Sequence, residues 1–392
     1  MDFNQLTHRN HTASMKWDGI ESIFGVKDAL PMWVADMDFT APPSVIHALQ
    51  ERLTHGVFGY SIRTDSYYQA IINWMKRRHQ WDIEKDWIVY SPGVVPALSL
   101  IVQTFTEPGD KVIIQTPVYP PFYQVVEKHG REIIHNPLQW VDGEYTMDLA
   151  NLEAQIDEQV KMLILCSPHN PVGRVWTMEE LVPLAELCSR RNILVVSDEI
   201  HADLLFNKGS HTPYATLSEE AKNQSIICTA PSKSFNIAGL HTSNIIIPNP
   251  DLRSQFVETL QMYALDSISP FGLIATEAAY NEGEEWLNEC LVYIRGNMEY
   301  VSQYIEEHLP ELRVTMPEAT YLLWIDFRKL GMSVDELSSF MLKKAKIVCN
   351  SGSAFGQNGE GFMRMNVGCQ REIVEDAMKR LDSAIQDWRN IN

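Results

Sequence analysis

Four short apolar runs recur through the middle of the chain, at 111–115 (KVIIQ), 161–166 (KMLILC), 192–197 (NILVVS) and 225–229 (SIICT). None shows the polar alternation of a half-exposed strand, so each fits a strand covered on both faces, as in a mostly parallel sheet between helices. Each run ends in polar or turn-forming residues and is followed by a helix-like segment. That alternation predicts an α/β fold. After Pro270 the pattern changes to long amphipathic stretches at 285–307 and 334–346, with strand-like pieces at 321–327 and 362–367. The expected organisation is an N-terminal segment, 1–45, packing with a small domain; a large ligand-binding domain, 46–280; and a smaller α+β domain, 281–392. No internal repeat or long flexible linker separates them.

Length allows this division, because 392 residues exceed what one ordinary core serves. Thirty-two basic side chains against 51 acidic ones give a net charge of −19. That balance disfavours a phosphate backbone or an anionic membrane surface as partner. The six cysteines are scattered with no C-x-x-C pair, which suggests neither a disulfide framework nor a zinc cluster. No stretch reaches the length of a membrane span, and the polar N-terminus lacks the apolar core of a signal peptide. A cytoplasmic location is expected.

In open α/β sheets, ligands lie beyond the carboxyl ends of the strands. Following the four runs come TPVYPPF with Tyr119, SPHNPVG with Asn170, DEIH with Asp198 and His201, and APSKSFN with Ser232 and Lys233. Singly, each has a plain structural explanation. Lone lysines are usually solvated, a lone Asp after a strand usually caps a helix, and Tyr119 and Asn170 could serve core and turn.

Together they match one cofactor, pyridoxal 5′-phosphate (PLP). It needs an amine for its aldehyde, an anion for its ring nitrogen, a donor for its phenolic oxygen and a ring against its face. Lys233, Asp198, Asn170 and Tyr119 supply these in that order. Its phosphate needs free backbone amides, best offered by a helix N-terminus. The string SPGVVPALSLIVQTF offers one: Gly93 permits close approach, Val94 and Val95 carry the amides, and Pro96 suits the first turn.

The strings WVADMDF, FGYS, SPGVVPAL, CSPHNPVGRVW, SDEIHADL, APSKSFNIAGL and FMRMNVGC resemble the MalY/PatB group of C–S lyases, within the fold-type-I, aminotransferase-like PLP enzymes. The resemblance runs from about Trp33 to Cys369. It implies that Lys233 is the Schiff-base lysine, Asp198 the pyridinium partner, Asn170 the contact to the phenolic oxygen and Tyr119 the stacking ring. It implies that Arg364 grips the substrate α-carboxylate, a task suited to a planar guanidinium. It also implies that Tyr60 reaches the cofactor phosphate of a partner subunit, so that a homodimer shares its active sites. Trp33 is expected either to wall the substrate pocket or to staple the N-terminal segment to the large domain.

Two positions depart from ordinary aminotransferases of this fold. His241 stands eight residues after the lysine, where an arginine commonly neutralises the phosphate, and His201 stands three residues after Asp198, where a tyrosine is common. Phosphate binding would then lean on Ser232, the Gly93 helix terminus and Tyr60, with His241 a candidate helper; His201 is expected among the cofactor contacts or as a satisfied core histidine. Both changes agree with the lyase group. The activity implied is α,β-elimination of L-cystathionine and other S-substituted cysteines to a thiol, pyruvate and ammonia. The alternatives are an aminotransferase and a regulatory protein that keeps the fold.

Other patterns do not hold. The glycines of GSAFGQNGEGF lead into a strand-like run rather than a helix, so they are no dinucleotide fingerprint. Ser-Lys-Ser at 232–234 lacks the glycines of a P-loop. No H-E-x-x-H occurs and the histidines show no ligand spacing, so no metal is expected.

Overall fold

The computed structural model describes residues 1–141, 143–206 and 211–390. Its seven-stranded sheet comprises β1 (Ile88–Ser91), β2 (Lys111–Ile114), β3 (Glu132–His135), β4 (Val160–Cys166), β5 (Leu194–Asp198), β6 (Ser225–Thr229) and β7 (Ser243–Ile246). The spatial order is β1-β7-β6-β5-β4-β2-β3, and β7 runs antiparallel to both its neighbours while the other pairs are parallel. The four apolar runs are β2, β4, β5 and β6, four adjacent strands.

Their lack of polar alternation has a direct cause. Val112, Ile114, Met162, Ile164, Val196 and Ile226 pack into one core cluster, whereas Ile113, Leu163, Leu165, Val195 and Ile227 pack into another. Successive side chains of a strand point to opposite faces, and here each face is buried under helices. The three strands the runs did not reveal are short or marginal. β3, at the sheet edge, has no fully buried side chain, and β1 and β7 have four residues each.

A second sheet of four antiparallel strands holds Arg313–Val314, Leu322–Asp326, Phe362–Asn366 and Asn350–Ser351 in that order. The expected pieces 321–327 and 362–367 are its central strands. Helix Glu284–His308 buries Trp286, Leu287, Cys290, Leu291, Ile294, Met298, Val301 and Ile305, the spacing of one helical face. Helix Arg371–Arg389 does the same with Val374, Ala377, Met378, Leu381 and Ile385. The stretch 334–346 is not one regular helix. Val334–Ser339 is α-helical, and Phe340–Ala345 widens to π-helical winding, which lets Phe340, Met341 and Ala345 all reach the core.

The N-terminal segment runs between these sheets. Leu30–Pro31 pairs parallel with Ile347–Val348, and the segment 33–39 is then held by side chains from several directions. Asn366 Nδ2 donates to the carbonyls of Val34 and Asp36. Asn236 accepts from Met37 N–H and donates to the carbonyls of Met37 and Phe39. Behind the segment, the fully buried Lys16 ammonium lies 2.7 Å from Asp38, which also receives Arg9 and Trp17 Nε1.

Candidate active site

The carboxyl ends of β2, β4, β5 and β6 open on one cavity of about 260 Å³. Tyr119, Asn170, Asp198, His201, Ser232 and Lys233 all line it, with Gly93, Val94 and Val95 on another side. A larger cavity, about 380 Å³ and lined by Trp140, Arg174 and Trp324, lies elsewhere, and its Arg174 is neutralised by Glu180 and Glu318.

Lys233 sits on the short helix Pro231–Ser234 directly after β6, and its Nζ donates to the Ala35 carbonyl at 2.6 Å. Burial lowers its pKa to about 8, and the nearby Arg364 cation pushes the same way, against Asp36 and Asp198. A neutral amine is therefore accessible near neutral pH. Asp198 is the last residue of β5. Burial pushes its carboxyl up to about 7, although the Ile200 N–H, 3.2 Å from Oδ1, favours the charged form. A buried carboxylate so weakly compensated suits a cationic partner.

Arg364, on the central strand Phe362–Asn366, is buried beside this cavity. One terminal nitrogen donates to Asn170 Oδ1 at 3.0 Å; the other donates to Asn350 Oδ1 at 2.7 Å and to the Trp33 carbonyl at 3.0 Å. The guanidinium lies over the Phe355 ring, 5.0 Å from its centroid. Its Nε is buried without a partner, and burial lowers its pKa to about 10. No carboxylate among the described residues pairs with it. His201 is buried with Nδ1 unpaired, and burial together with the Lys233 and Arg364 cations depresses its pKa to about 3. It is a neutral imidazole.

A family model described as aminotransferase class I and II matches residues 28–381. The chain belongs to that family. Within it, the chain is 47% identical to cystathionine beta-lyase PatB of Bacillus subtilis, over 98% of this chain and 100% of that one. It is 35% identical to protein MalY of Escherichia coli, over 99% and 100%. The crystal structure of cystalysin from Treponema denticola, which contains a pyridoxal 5′-phosphate cofactor, superposes with a TM-score of 0.96 at 40% identity, covering 98% of this chain and 99% of that one.

The residues present fit the cofactor that this aminotransferase-family resemblance implies. An amine of lowered pKa and an under-compensated carboxylate face the same cavity. Because Asn170 Oδ1 is taken by Arg364, its Nδ2 is the atom left to donate. Helix Val94–Phe105 begins at the cavity, and its first-turn amides have no partner within the helix. A Cβ at Gly93 would come within 3.3 Å of Pro96 Cδ, so a side chain would crowd this terminus.

Two expected residues lie elsewhere. The Trp33 ring is no pocket wall: it meets Phe24 edge-on, packs with Ile20 and Val348, and donates from Nε1 to the Lys16 carbonyl. Nor does it staple the segment to the large sheet, since Val348 belongs to the strand beside Leu30–Pro31. What Trp33 brings toward the site is its carbonyl, on Arg364. Tyr60 is fully exposed and does not line this chain's cavity. His241 does line it, exposed at the rim, with a left-handed backbone.

Sequence reasoning missed Ala35, Tyr321 and Asn350. The Ala35 carbonyl accepts both Lys233 Nζ and Tyr321 Oη, the latter at 2.9 Å. A carbonyl has no signature in sequence. The motif WVADMDF pointed to the segment but not to the atom.

Proposed function

We propose that this chain is a PLP-dependent C–S β-lyase, converting S-substituted cysteines such as L-cystathionine to a thiol, pyruvate and ammonia. The observation that carries this is the placement of the Lys233 amine and Asp198 carboxylate on one cavity, beside a buried Arg364 guanidinium with no anionic partner among the described residues. The name of the Bacillus subtilis relative and the lyase-type histidines at 201 and 241 favour elimination over amino transfer.

When bound, the cofactor supplies an electron sink for charge developing at the substrate α-carbon. The chain's residues do the remainder. Arg364, its plane fixed by Asn170, Asn350 and the Trp33 carbonyl, would bind the α-carboxylate through the N–H groups that those contacts leave free. Lys233 would hold the cofactor aldehyde and, as a free amine of lowered pKa, would take up the α-proton. Asp198 would hold the ring nitrogen, Asn170 would donate to the phenolic oxygen and Tyr119 would cover the ring face. The amides of Gly93, Val94 and Val95, with Ser232, hold the phosphate. His201, being neutral, contacts the cofactor without adding charge. A β-thiolate leaves as electrons return from the α-carbon.

Supplying L-cystathionine without any keto acid tests this: pyruvate and homocysteine are expected. Turnover that requires a keto acid acceptor would make the chain an aminotransferase.

We further propose a homodimer in which Tyr60 serves the partner's cofactor phosphate. Its complete exposure beside exposed Val57, Phe58 and Ile62 supports this, since such a patch calls for a covering surface. For the chain's organisation we propose the bounds 1–45, 46–280 and 281–392, supported by the two separate sheets. No helix among the described residues is long and apolar enough to cross a membrane. We propose a cytoplasmic location, supported by six cysteines that all remain free thiols.

A further inference from the structure

Behind the cavity lies a buried carboxylate that the mechanism above does not use. Asp203 Oδ2 accepts from Ser234 Oγ at 2.6 Å, and Asp203 Oδ1 accepts from Trp74 Nε1 at 3.0 Å and His79 Nε2 at 2.8 Å. All four residues are buried. Ser234 follows Lys233 directly on the helix Pro231–Ser234, and Asp203 ends the turn at 200–203 that follows the strand ending at Asp198. The hydrogen bond therefore joins the segment carrying the amine to the segment carrying the ring-nitrogen carboxylate. Its far side is anchored, because Trp74 and His79 both belong to helix Asp65–His79.

We propose that Asp203 and Ser234 are positioning residues that fix the Lys233 amine relative to Asp198. Removing a carboxylate from water costs stability that an apolar residue of similar size would not, so this group is better suited to holding geometry than to adding stability. Charge-assisted hydrogen bonds from three directions define one arrangement of the carboxylate. With Ser234 pinned, the backbone of Lys233 cannot slide along the cavity without breaking a short buried bond. Misplacement of a reacting group by about 1 Å is enough to cost on the order of a hundredfold in rate. Around Asp203 the other titratable groups include His79, Arg78, whose guanidinium reaches the Asp203 carbonyl, the buried Tyr280, stacked on Trp74, and His211, edge-on to His79 and paired with Glu199.

This inference rests on the PLP reading, and the test separates the two. The full-length chain is loaded with PLP, and wild type is compared with Ser234→Ala and Asp203→Asn. Three quantities are measured: melting temperature, the pH midpoint of the visible cofactor band, and kcat and KM on L-cystathionine. Ser234→Ala removes one hydroxyl, so it keeps the protein folded even where Asp203→Asn does not. The expected result for Ser234→Ala is kcat lower by about tenfold to a hundredfold with KM within about twofold, and a displaced pH midpoint. A lower melting temperature with unchanged kcat and pH midpoint would overturn the positioning role, leaving a purely structural bond. Wild-type protein that develops no visible band would instead overturn the PLP reading itself.

Discussion

Arg364 lies on a strand of the four-stranded sheet and Asn170 in the turn that follows β4 of the seven-stranded sheet, yet a 3.0 Å hydrogen bond joins the guanidinium to the amide oxygen. The bond does two things. It orients a buried guanidinium that no carboxylate among the described residues pairs with, and it leaves Asn170 Nδ2 free to donate. In the proposed mechanism, substrate contact and cofactor contact are thereby linked through one side chain.

Arg364→Ala is expected to weaken amino-acid binding by about 2 to 5 kcal/mol, the range for removing one partner of a buried charged pair. Spectral titration of the PLP-loaded variant with a slowly turned-over substrate measures it. Unchanged affinity would reject the carboxylate assignment.

The rate at which cofactor-free protein captures PLP should follow the neutral fraction of Lys233. With a pKa of about 8, that rate is expected to climb with pH and level off above about pH 8. Stopped-flow absorbance reads it directly. A rate still rising tenfold per unit near pH 10 would mean an ordinary lysine.

Asp198 makes the cofactor-free fold pH-sensitive in a defined direction. Its carboxyl pKa is about 7 in the fold against an ordinary 3.8, so between those values the fold binds more protons than the unfolded chain. The stability it contributes is full below about pH 4 and is lost as pH rises through about 7. Asp198→Asn, although inactive, should therefore stabilise cofactor-free protein, by about 1 kcal/mol more at pH 8 than at pH 6. Denaturant titrations at the two pH values decide this, and an equal difference at both would refute it.

A shared active site predicts complementation. Lys233→Ala is expected to be inactive, and Tyr60→Ala is expected to retain PLP poorly. In a mixed dimer, however, one site combines the intact Lys233 of one subunit with the intact Tyr60 of the other. Co-expression of the two variants should restore part of the activity, and no recovery from a confirmed mixed dimer would exclude the proposed role of Tyr60.

Lys16→Met should destabilise the fold by about 3 kcal/mol, because it strips a fully buried partner from Asp38 and leaves Arg9 and Trp17 to compensate. Thermal unfolding measures the loss. Stability equal to wild type would show that Arg9 alone satisfies the carboxylate.

Much of this molecule was legible before folding was considered. The runs at β2, β4, β5 and β6 announce strands because burial on both faces leaves no polar positions. The residues at their carboxyl ends announce a site because chain direction places those ends together. Arg364 was legible through a motif, not through any local pattern. The role of Trp33 was not: whether its ring or its carbonyl meets the site depends on where helix Ile20–Phe24 and Val348 pack.

The linear order of residues thus determined the strands, the amine, the carboxylate and the side of the sheet on which they meet, since these follow from periodicity and strand polarity. Tertiary structure alone decided that the Ala35 carbonyl receives Lys233, that Asn170 faces Arg364 with its oxygen, and that Asp203 reaches Ser234. Those contacts join residues up to 198 positions apart, and hydrogen-bond partners at such separation are fixed by packing geometry that no local pattern encodes.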